Sequence, residues 1–248
     1  MEFPKTLIKR NGYIERIKPF MRKNIAKVLT GQRRVGKSFL LYQLMDQLLV
    51  EEPDANIIYI NFEDFAFSHI QTAEDMHAYI MSKFRKEKYN YIFVDEIQEI
   101  VNFERVIRSL LLNENNDIYI TGSNAKMLSG ELATYLSGRY IEFSVYSLSY
   151  LEFLAFHKLE NNNESLYLYS RYGGLPYLIN LPLKDETVNE YLKSVYSTIV
   201  FRDVVSRYNL RNSSFLEKLV QFLSENIGNL FSAKNISDYL KSQHSTIS

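Results

Sequence analysis

The sequence predicts an α/β protein whose core is a parallel β-sheet, and three features of the chain carry this prediction. Runs such as 56–62 and 91–94 are too apolar to alternate, which is typical of strands buried on both faces of a sheet. Stretches with helical spacing of apolar residues, such as 76–84, lie between them. The strand-like run 25–30 enters a glycine-containing loop, and a helix-compatible run follows it. Such alternation of strand and helix favours a parallel sheet joined by crossover helices.

The predicted elements follow each other along the first 145 residues. Thr72 and Asp75 form a capping-box pattern that marks one helix start. The predicted helices are 13–23, the segment from 39, the segment after 72, 103–113 and 125–136, and the predicted strands are 25–30, 56–62, 89–95, 117–124 and 139–143.

The composition describes a globular chain without a strong overall electrostatic field. Of 248 residues, 46% are hydrophobic, and 29 lysines and arginines balance 29 aspartates and glutamates, so the net charge attracts neither nucleic acid nor an anionic membrane. The absence of cysteine excludes a disulfide framework, a thiolate zinc site and a cysteine nucleophile. The first ten residues lack the apolar core of a signal peptide, and no run approaches the ~18 apolar residues of a membrane span. We therefore expect a cytoplasmic protein with no membrane partner.

The loop after the first strand carries a phosphate-binding pattern. Gly31, Gly36, Lys37 and Ser38 match G-x-x-x-x-G-K-[ST], in which backbone N–H groups point at phosphate oxygens. Gly36 is expected to let the backbone approach the phosphates closely. Lys37 would reach the β- and γ-phosphates, and Ser38 would offer its hydroxyl to Mg²⁺. The predicted nucleotide-binding residues of this loop are Gly31, Gln32, Arg33, Arg34, Val35, Gly36, Lys37, Ser38 and Phe39. An ordinary turn with a surface lysine is the alternative.

Two carboxylates end the apolar run 91–94. Asp95 and Glu96 are expected at the C-terminal edge of the sheet, where ligands bind in α/β proteins. We expect Asp95 to hold Mg²⁺, directly or through water, and Glu96 to orient and polarise the attacking water. Such a strand end alone often marks only a capped loop. Its pairing with Lys37 predicts a site for ATP and Mg²⁺.

Two polar residues after the run 117–122 are further catalytic candidates. Ser123 or Asn124 would stand beside the carboxylates and hydrogen-bond the γ-phosphate or the attacking water. Either residue would also serve as the N-cap of the predicted helix 125–136. Both interpretations stay open, and one residue can fill both roles.

Arg139 is the last catalytic candidate. It follows Gly138 and opens the last predicted strand. An arginine there would reach negative charge that develops on the γ-phosphate, with completion by a partner subunit as one form of this role. A surface ion pair is the alternative.

The alternation of strand and helix stops after residue 145, and the rest of the chain reads as helical. The predicted helices are 148–157, a segment that ends at 173–176, 191–207, 215–227 and 232–240, and 160–165 reads as a polar loop. The last two helices, joined through Gly228, read as the opening of a helix-turn-helix. We predict three domains: a core at 1–145, a helical lid at 146–210 and an incomplete winged helix at 211–248.

Seven ordered segments resemble the predicted AAA+-type ATPases of bacteria and archaea, which continue into a winged helix and a C-terminal domain of unknown function. The segments are GQRRVGKS at 31–38, FVDEIQ at 93–98, TGSN at 121–124, SGRY at 137–140, SLSYLEF at 147–153, GGLP at 173–176 and NIGNLFSAKNISDYL at 226–240. The resemblance implies a P-loop core of the AAA+/ASCE type with a helical lid. Two departures are Gln32, where the family often has proline, and the end of the chain before the recognition helix, which leads us to expect a truncated chain.

The family is also similar to STAND-type ATPases, in which a Gly-Leu-Pro motif packs against the adenine. By this resemblance Leu175 and Pro176 contact the base, although a glycine pair followed by proline also ends a helix on structural grounds alone. Tyr13 or Ile14, in the segment that leads into the first strand, would touch the base as well, or would simply pack in the core.

The predicted function is binding of Mg-ATP with slow hydrolysis, coupled to a conformational switch. A non-hydrolysing nucleotide-gated scaffold is one alternative, against which Glu96 argues. A DNA-binding module using the winged helix is another, weakened by the zero net charge. The sequence argues against a nucleotide kinase, because no arginine-rich lid motif follows the core. The expected partners are ATP and ADP, a second copy of the chain, and DNA or a protein bound through the winged helix or the missing C-terminal region.

Overall fold

The computed structural model describes residues 7–122, 136, 138–199 and 213–242. The chain divides into two compact units, Met1–Leu183 and Lys184–Ser248. The first unit contains the sheet together with α1 (Asn11–Ile17), β1 (Ala26–Thr30), α2 (Lys37–Glu51), β2 (Asn56–Asn61), α3 (Ala73–Ser82), β3 (Asn90–Asp95), α4 (Phe103–Leu110), β4 (Asn116–Gly122), β5 (Tyr140–Ser144), α5 (Tyr150–His157) and α6 (Asn163–Tyr172). The second unit contains α7 (Asp185–Thr198), α8 (Ser213–Glu225) and α9 (Ala233–Ser242).

The five strands form one parallel sheet in the order β2-β3-β4-β1-β5, which confirms the predicted fold class. β1 lies between β4 and β5, with Thr30 opposite Gly122 on one side and Ser144 on the other. β4 in turn pairs with β3 on the side away from β1. The carboxyl ends of the strands therefore meet at one edge, and the loop after Thr30 leaves the sheet at that edge.

Apolar side chains cover both faces of the sheet. On the face packed against α3 and α4, the buried strand residues are Ala26, Val28, Ile58, Ile60, Ile92, Val94, Ile118 and Ile120. On the face packed against α1 and α2, they are Leu29, Tyr91, Phe93, Tyr119 and Phe143. Because successive residues of a strand point to opposite faces, runs that are apolar at every position fill both cores.

Local signals explain where two of the helices begin or end. The predicted capping box forms, since the Thr72 hydroxyl accepts the Asp75 N–H and the Asp75 carboxylate accepts the Thr72 N–H. The helix predicted over 13–23 instead ends at Ile17 and continues as a 3₁₀ turn over Lys18–Phe20. Pro19 accounts for the difference, because proline has no N–H for a helical hydrogen bond.

The polar loop predicted over 160–165 is partly helical. Asn162 accepts the Ser165 N–H at 2.8 Å and thereby caps α6, which begins at Asn163. A run of polar residues looks like a loop, but an asparagine directly before a helix satisfies an N–H group that would otherwise lack a partner.

A buried ion pair lies at the amino edge of the sheet, opposite the loop after β1. The ammonium of Lys27 contacts the carboxylate of Asp117, and both side chains are fully buried. Asp117 also accepts the Tyr119 hydroxyl at 2.7 Å and the Arg22 N–H at 2.8 Å. Burial lowers the pKa of Lys27, and the contact with Asp117 opposes that shift. These hydrogen bonds satisfy the buried charges and give the pair a structural role.

The second unit is helical in its described parts. The ring of Phe222 on α8 packs against Tyr239 on α9, with ring centroids 5.0 Å apart. The predicted winged helix and the predicted domain boundaries at 145 and 210 stay predictions. Within the parts of the chain that the structure describes, no helix has both the length and the apolar character that crossing a bilayer requires.

Candidate functional site

The loop between β1 and α2, residues 31–36, needs glycine at two positions for different reasons. Gly31 has φ +141°, and a Cβ there would lie 2.2 Å from the Val145 carbonyl oxygen. Gly36 has φ +95°, whereas a Cβ there would meet only Pro176 Cγ, at 3.7 Å. The backbone conformation therefore demands glycine at 36, and close packing demands it as well at 31. Substitution at Gly31 would displace the start of the loop.

Lys37 begins α2 and points back into the loop. Its ammonium donates to the carbonyls of Gly31 and Gln32, both at 3.1 Å, and its Nζ lies 3.9 Å from Glu96 Oε1. Burial lowers the pKa of Lys37, and the neighbouring Glu96 and Asp95 carboxylates oppose this shift. A cation held beside backbone N–H groups at a helix start is suited to bind phosphate oxygens.

Asp95 ends β3 at the same sheet edge and is almost fully buried. Burial raises its pKa, and hydrogen bonds from Thr121 and Ser38 oppose the shift. The Thr121 hydroxyl, at the end of β4, donates to Asp95 Oδ1 and accepts the Glu96 N–H at 3.0 Å. One threonine thus orients both the carboxylate of Asp95 and the backbone of Glu96.

The Ser38 hydroxyl and the Asp95 carboxylate suit Mg²⁺, because both ligands are oxygen atoms and the two side chains are hydrogen-bonded to each other. Among the described residues, no group of three or more histidines and carboxylates stands ready to hold a metal ion. Mg²⁺ typically binds one or two protein carboxylates and completes its shell with phosphate and water. The two protein oxygens therefore fit a metal that binds together with a nucleotide.

Glu96 is held in an unusual backbone conformation, with φ 54° and ψ 47°. For a residue other than glycine this left-handed conformation costs roughly 1–3 kcal/mol and is maintained only by its surroundings. Its Oε2 accepts a hydrogen bond from Gln98 Nε2, and the residue is buried. The conformation turns the chain at the end of β3 and brings the Glu96 carboxylate towards Lys37.

The other predicted residues of the loop lie at its rim. Gln32 and Arg34 are exposed, and Arg34 also has a positive φ of 65°. Arg33 Nη1 lies 3.3 Å from Glu63 Oε1, across from the loop. The Phe39 ring is 48% exposed, and the Val35 side chain is buried in the core below the loop. Val35 consequently contributes only its backbone to this surface.

The Gly-Leu-Pro segment packs next to the loop. Pro176 Cγ lies 3.7 Å from the position of a Cβ on Gly36. A Cβ on Gly174 would lie 2.2 Å from the Leu148 carbonyl oxygen, and the Gly174 carbonyl accepts the Leu148 N–H at 2.7 Å. Gly173 ends α6 with φ +73°, as expected for a helix stop. The base contacts of Leu175 and Pro176 stay a prediction.

Tyr13 and Ile14 occupy different environments on α1. The Ile14 side chain is buried in the core beside α2, which favours plain packing for this residue. The Tyr13 hydroxyl accepts the Tyr146 N–H at 3.0 Å, and the Arg10 guanidinium lies 4.6 Å from the centre of its ring. Tyr13 therefore links α1 to the segment after β5.

The structure does not bring Arg139 to the loop. Its carbonyl accepts the Ala26 N–H at 3.0 Å, so it lies at the amino edge of β1, one strand length or roughly 16 Å from the loop. It lines a cleft of about 440 Å³ whose described residues are Arg105, Arg108, Ser109, Leu112, Leu136 and Arg139. This placement gives no support to action within its own site, and action towards a neighbouring subunit stays a prediction. Ser123 and Asn124 lie outside the described residues.

Two residues of the site, Thr121 and Arg10, were not among the residues predicted from the sequence. Thr121 was recognisable only as part of the TGSN segment, although pairing of β3 with β4 puts it beside Asp95. Arg10 is almost fully buried and donates to the Val35 carbonyl, but nothing near it in the sequence marks it as part of the loop. Strand adjacency would have found the first, and no local signal announces the second.

Two family models match separate parts of the chain. The family model described as an AAA domain matches residues 23–154, and a model described as a domain of unknown function matches residues 163–248. An uncharacterized protein of Haemophilus influenzae is 36% identical over 246 residues, which are 96% of this chain and 61% of that protein. An uncharacterized protein of Methanocaldococcus jannaschii is 31% identical over 240 residues, which are 91% of this chain and 52% of that protein. The chain thus spans only part of the length of these curated relatives.

Among solved structures, domain III of the replication initiation protein DnaA from Thermotoga maritima is similar, with a TM-score of 0.47 and 11% identity. The similarity covers 96% of this chain and 94% of that domain. The AAA domain match runs from just before β1 into α5 and includes the loop at 31–36, Asp95 and Glu96. The chain therefore belongs to the AAA domain family.

Proposed function

We propose that this chain binds Mg-ATP and hydrolyses it slowly as a conformational switch. The observation that carries the proposal is the convergence of Lys37, Asp95 and Glu96 at one edge of the sheet, with Lys37 Nζ 3.9 Å from Glu96 Oε1. A phosphate-binding lysine, a candidate metal ligand and a candidate base for water are the parts that phosphoryl transfer to water requires. Membership of the AAA domain family supports nucleotide binding by the same residues.

In this proposal the backbone N–H groups of 31–36 and the Lys37 ammonium bind the phosphates. Lys37 exchanges its contacts with the loop carbonyls for phosphate oxygens, which are stronger partners for a cation. Bound Mg²⁺, held by Ser38 and Asp95, would neutralise phosphate charge. Glu96 accepts a proton from the attacking water, whose oxygen bonds to the γ-phosphorus as the bond to the β–γ bridging oxygen breaks. ADP and phosphate are released, and the proton passes from Glu96 to the phosphate.

Burial and pre-orientation support hydrolysis over a scaffold that only binds nucleotide. The Glu96 carboxylate is buried, and its backbone is fixed by Thr121 in a conformation that costs energy. A carboxylate held in this way is suited to orient an attacking water. We expect slow turnover, because Arg139 lies at the amino edge of β1 and does not reach the loop of its own chain.

Calorimetry and a phosphate-release assay test the proposal directly. The wild-type protein should bind ATP in the presence of Mg²⁺ and release phosphate, whereas Lys37→Ala should show no measurable binding. Lys86→Ala is the control, because Lys86 is an exposed lysine between α3 and β3, outside the loop. Unchanged ATP affinity in Lys37→Ala, with the fold intact by circular dichroism, contradicts the assignment of the loop.

A further inference from the structure

A single buried guanidinium joins the phosphate-binding loop to the helix after β5. Arg10 is only 5% exposed, and it lies directly before α1. Its Nε and Nη2 donate to the two oxygens of Glu152 at 2.8 and 3.0 Å. Its Nη1 donates to the carbonyls of Val35 and Tyr146, both at 3.0 Å, and Nη2 also approaches the Ser147 carbonyl at 3.4 Å. The described contacts therefore use the whole fork of the guanidinium.

The backbone of the same residue is attached to α2, the helix that Lys37 begins. Gln43 on α2 accepts the Arg10 N–H through Oε1 at 3.2 Å and donates from Nε2 to the Ile8 carbonyl at 2.6 Å. Gln43 is itself buried. The hydrogen bonds with Gln43 thus fix the backbone of Arg10 against α2, and the Arg10 side chain extends from this fixed point to the loop.

The bond to Val35 matters because of the peptide that it restrains. The Val35 carbonyl and the Gly36 N–H belong to one planar peptide group and point in opposite directions. Gly36 has φ +95°, and a glycine can adopt many other backbone conformations unless its neighbours restrain it. A donor that holds the Val35 carbonyl on the protein side keeps the Gly36 N–H directed to the side where phosphate would bind.

Glu152 extends the connection to α5. It is the third residue of this helix, and with Ser149 it forms a capping box. Burial raises the pKa of Glu152, but the hydrogen bonds from Arg10 and the Ser149 N–H outweigh this effect and hold the pKa below its usual value. The ion pair therefore ties the start of α5 to the same guanidinium that holds the loop.

We propose that Arg10 is a positioning residue for nucleotide binding: it orients the Val35–Gly36 peptide and, through Glu152, couples the phosphate-binding loop to α5. This inference rests on the proposed binding of ATP. Because coupling between two sites is reciprocal, a bound nucleotide should in turn restrain the start of α5. Lysine cannot replace arginine in this role, since a single ammonium does not present the planar fork that spans Glu152 and the Val35 carbonyl.

The test is ATP affinity, measured by calorimetry with Mg²⁺, in the wild type, Arg10→Lys and Glu152→Gln. Arg16→Ala is the matched control, because Arg16 is an exposed arginine on α1 that approaches the same Tyr13 ring. We expect the dissociation constant to rise at least about tenfold in Arg10→Lys and about threefold in Glu152→Gln, and to stay unchanged in the control. At saturating ATP, turnover should change less than about threefold, because Arg10 does not touch the reacting groups.

Two measurements separate positioning from a merely structural role. Thermal unfolding establishes that each variant is folded at the titration temperature, and Glu152→Gln keeps the test valid if Arg10→Lys does not fold. Hydrogen exchange of α5 should slow on ATP binding in the wild type and in Arg16→Ala, and should not respond in Glu152→Gln. Folded variants with wild-type affinity overturn the inference but leave the proposed function intact, whereas a wild type that does not bind ATP refutes the proposed function itself.

Discussion

The hydroxyl of Thr121 donates to the Asp95 carboxylate across the pairing of β4 with β3. The same oxygen accepts the N–H of the next residue, Glu96, at 3.0 Å. Thr121 and Asp95 are both almost fully buried, so neither group has water as a substitute partner. A side chain from β4 thus sets the orientation of a candidate metal ligand and the backbone of a candidate base.

Replacing Thr121 with valine should impair hydrolysis more than nucleotide binding. Valine keeps the shape but leaves the Glu96 N–H and an oxygen of Asp95 without this partner, at a cost of about 1–3 kcal/mol in the free energy of unfolding. Small displacements of catalytic groups have large kinetic effects, so we expect turnover to fall by at least about tenfold. Phosphate release and chemical denaturation measure the two effects.

Thr121→Ser is the control for this experiment, because serine retains the hydroxyl and removes only a methyl group. It should keep most of the turnover. If Thr121→Val hydrolyses ATP at the rate of Thr121→Ser, the hydroxyl has no part in orienting Glu96.

Replacing Glu96 with glutamine should preserve ATP binding and stop turnover. Glutamine has nearly the same size, but its neutral amide is a far weaker acceptor for a proton of the attacking water. Loss of a general base typically lowers a rate by about 10²–10⁴. Calorimetry and phosphate release on the same preparation check both halves of the prediction. Gln98→Ala provides a comparison, since it removes the Gln98 donor to Glu96 without removing the carboxylate. Wild-type turnover in Glu96→Gln excludes this residue from the mechanism.

The sheet, the loop after β1 and the two carboxylates could be predicted from the sequence, because their signals are local. The loop pattern at 31–38, the apolar strand ending in Asp95, and the capping box at Thr72 each depend on residues close together in the chain. Contacts between distant segments gave no such signal. Thr121 meets Asp95 across 26 residues, and Arg10 meets Glu152 across 142. The sheet order decides the first contact and the packing of α5 the second, and neither can be read from spacing.

The pH dependence of stability should reveal the ion pair between Arg10 and Glu152. The pKa of Glu152 is lower in the folded protein than its ordinary value of 4.5. As the pH falls below 4.5, Glu152 is therefore protonated in the unfolded chain before it is protonated in the folded protein. The stability that the ion pair contributes is lost as the pH falls from 4.5 through the folded-state pKa. Glu152→Gln should lack this part of the acid sensitivity. Denaturant titrations between pH 3 and 7 measure it.

Glu160→Gln serves as the control for this experiment, because Glu160 is an exposed carboxylate just beyond the same helix. Its stability should follow that of the wild type as the pH falls. Parallel curves for the wild type and Glu152→Gln throughout the range contradict the assigned role of Glu152.

Arg139 offers the test of whether the chain works as an assembly. It lies at the amino edge of β1, roughly 16 Å from its own loop, and it shares a cleft with Arg105 and Arg108. If it serves the site of a neighbouring subunit, Arg139→Ala should leave ATP affinity nearly unchanged, because a finger arginine acts mainly where charge develops in the transition state. Turnover would then fall by about 10³–10⁵, whereas loss of a surface ion pair changes stability by only ~0–1 kcal/mol.

Mixing two inactive variants decides where Arg139 acts. Arg139→Ala retains Glu96, and Glu96→Gln retains Arg139, so a mixed assembly contains interfaces at which an intact Glu96 meets an intact arginine of the neighbour. Phosphate release should therefore recover in the mixture but in neither variant alone, and it should increase with protein concentration. Arg108→Ala, from the same cleft, shows whether the effect is specific to Arg139. A fall of less than about tenfold in Arg139→Ala at saturating ATP rules out the finger, because such a loss is far below what a finger arginine supplies.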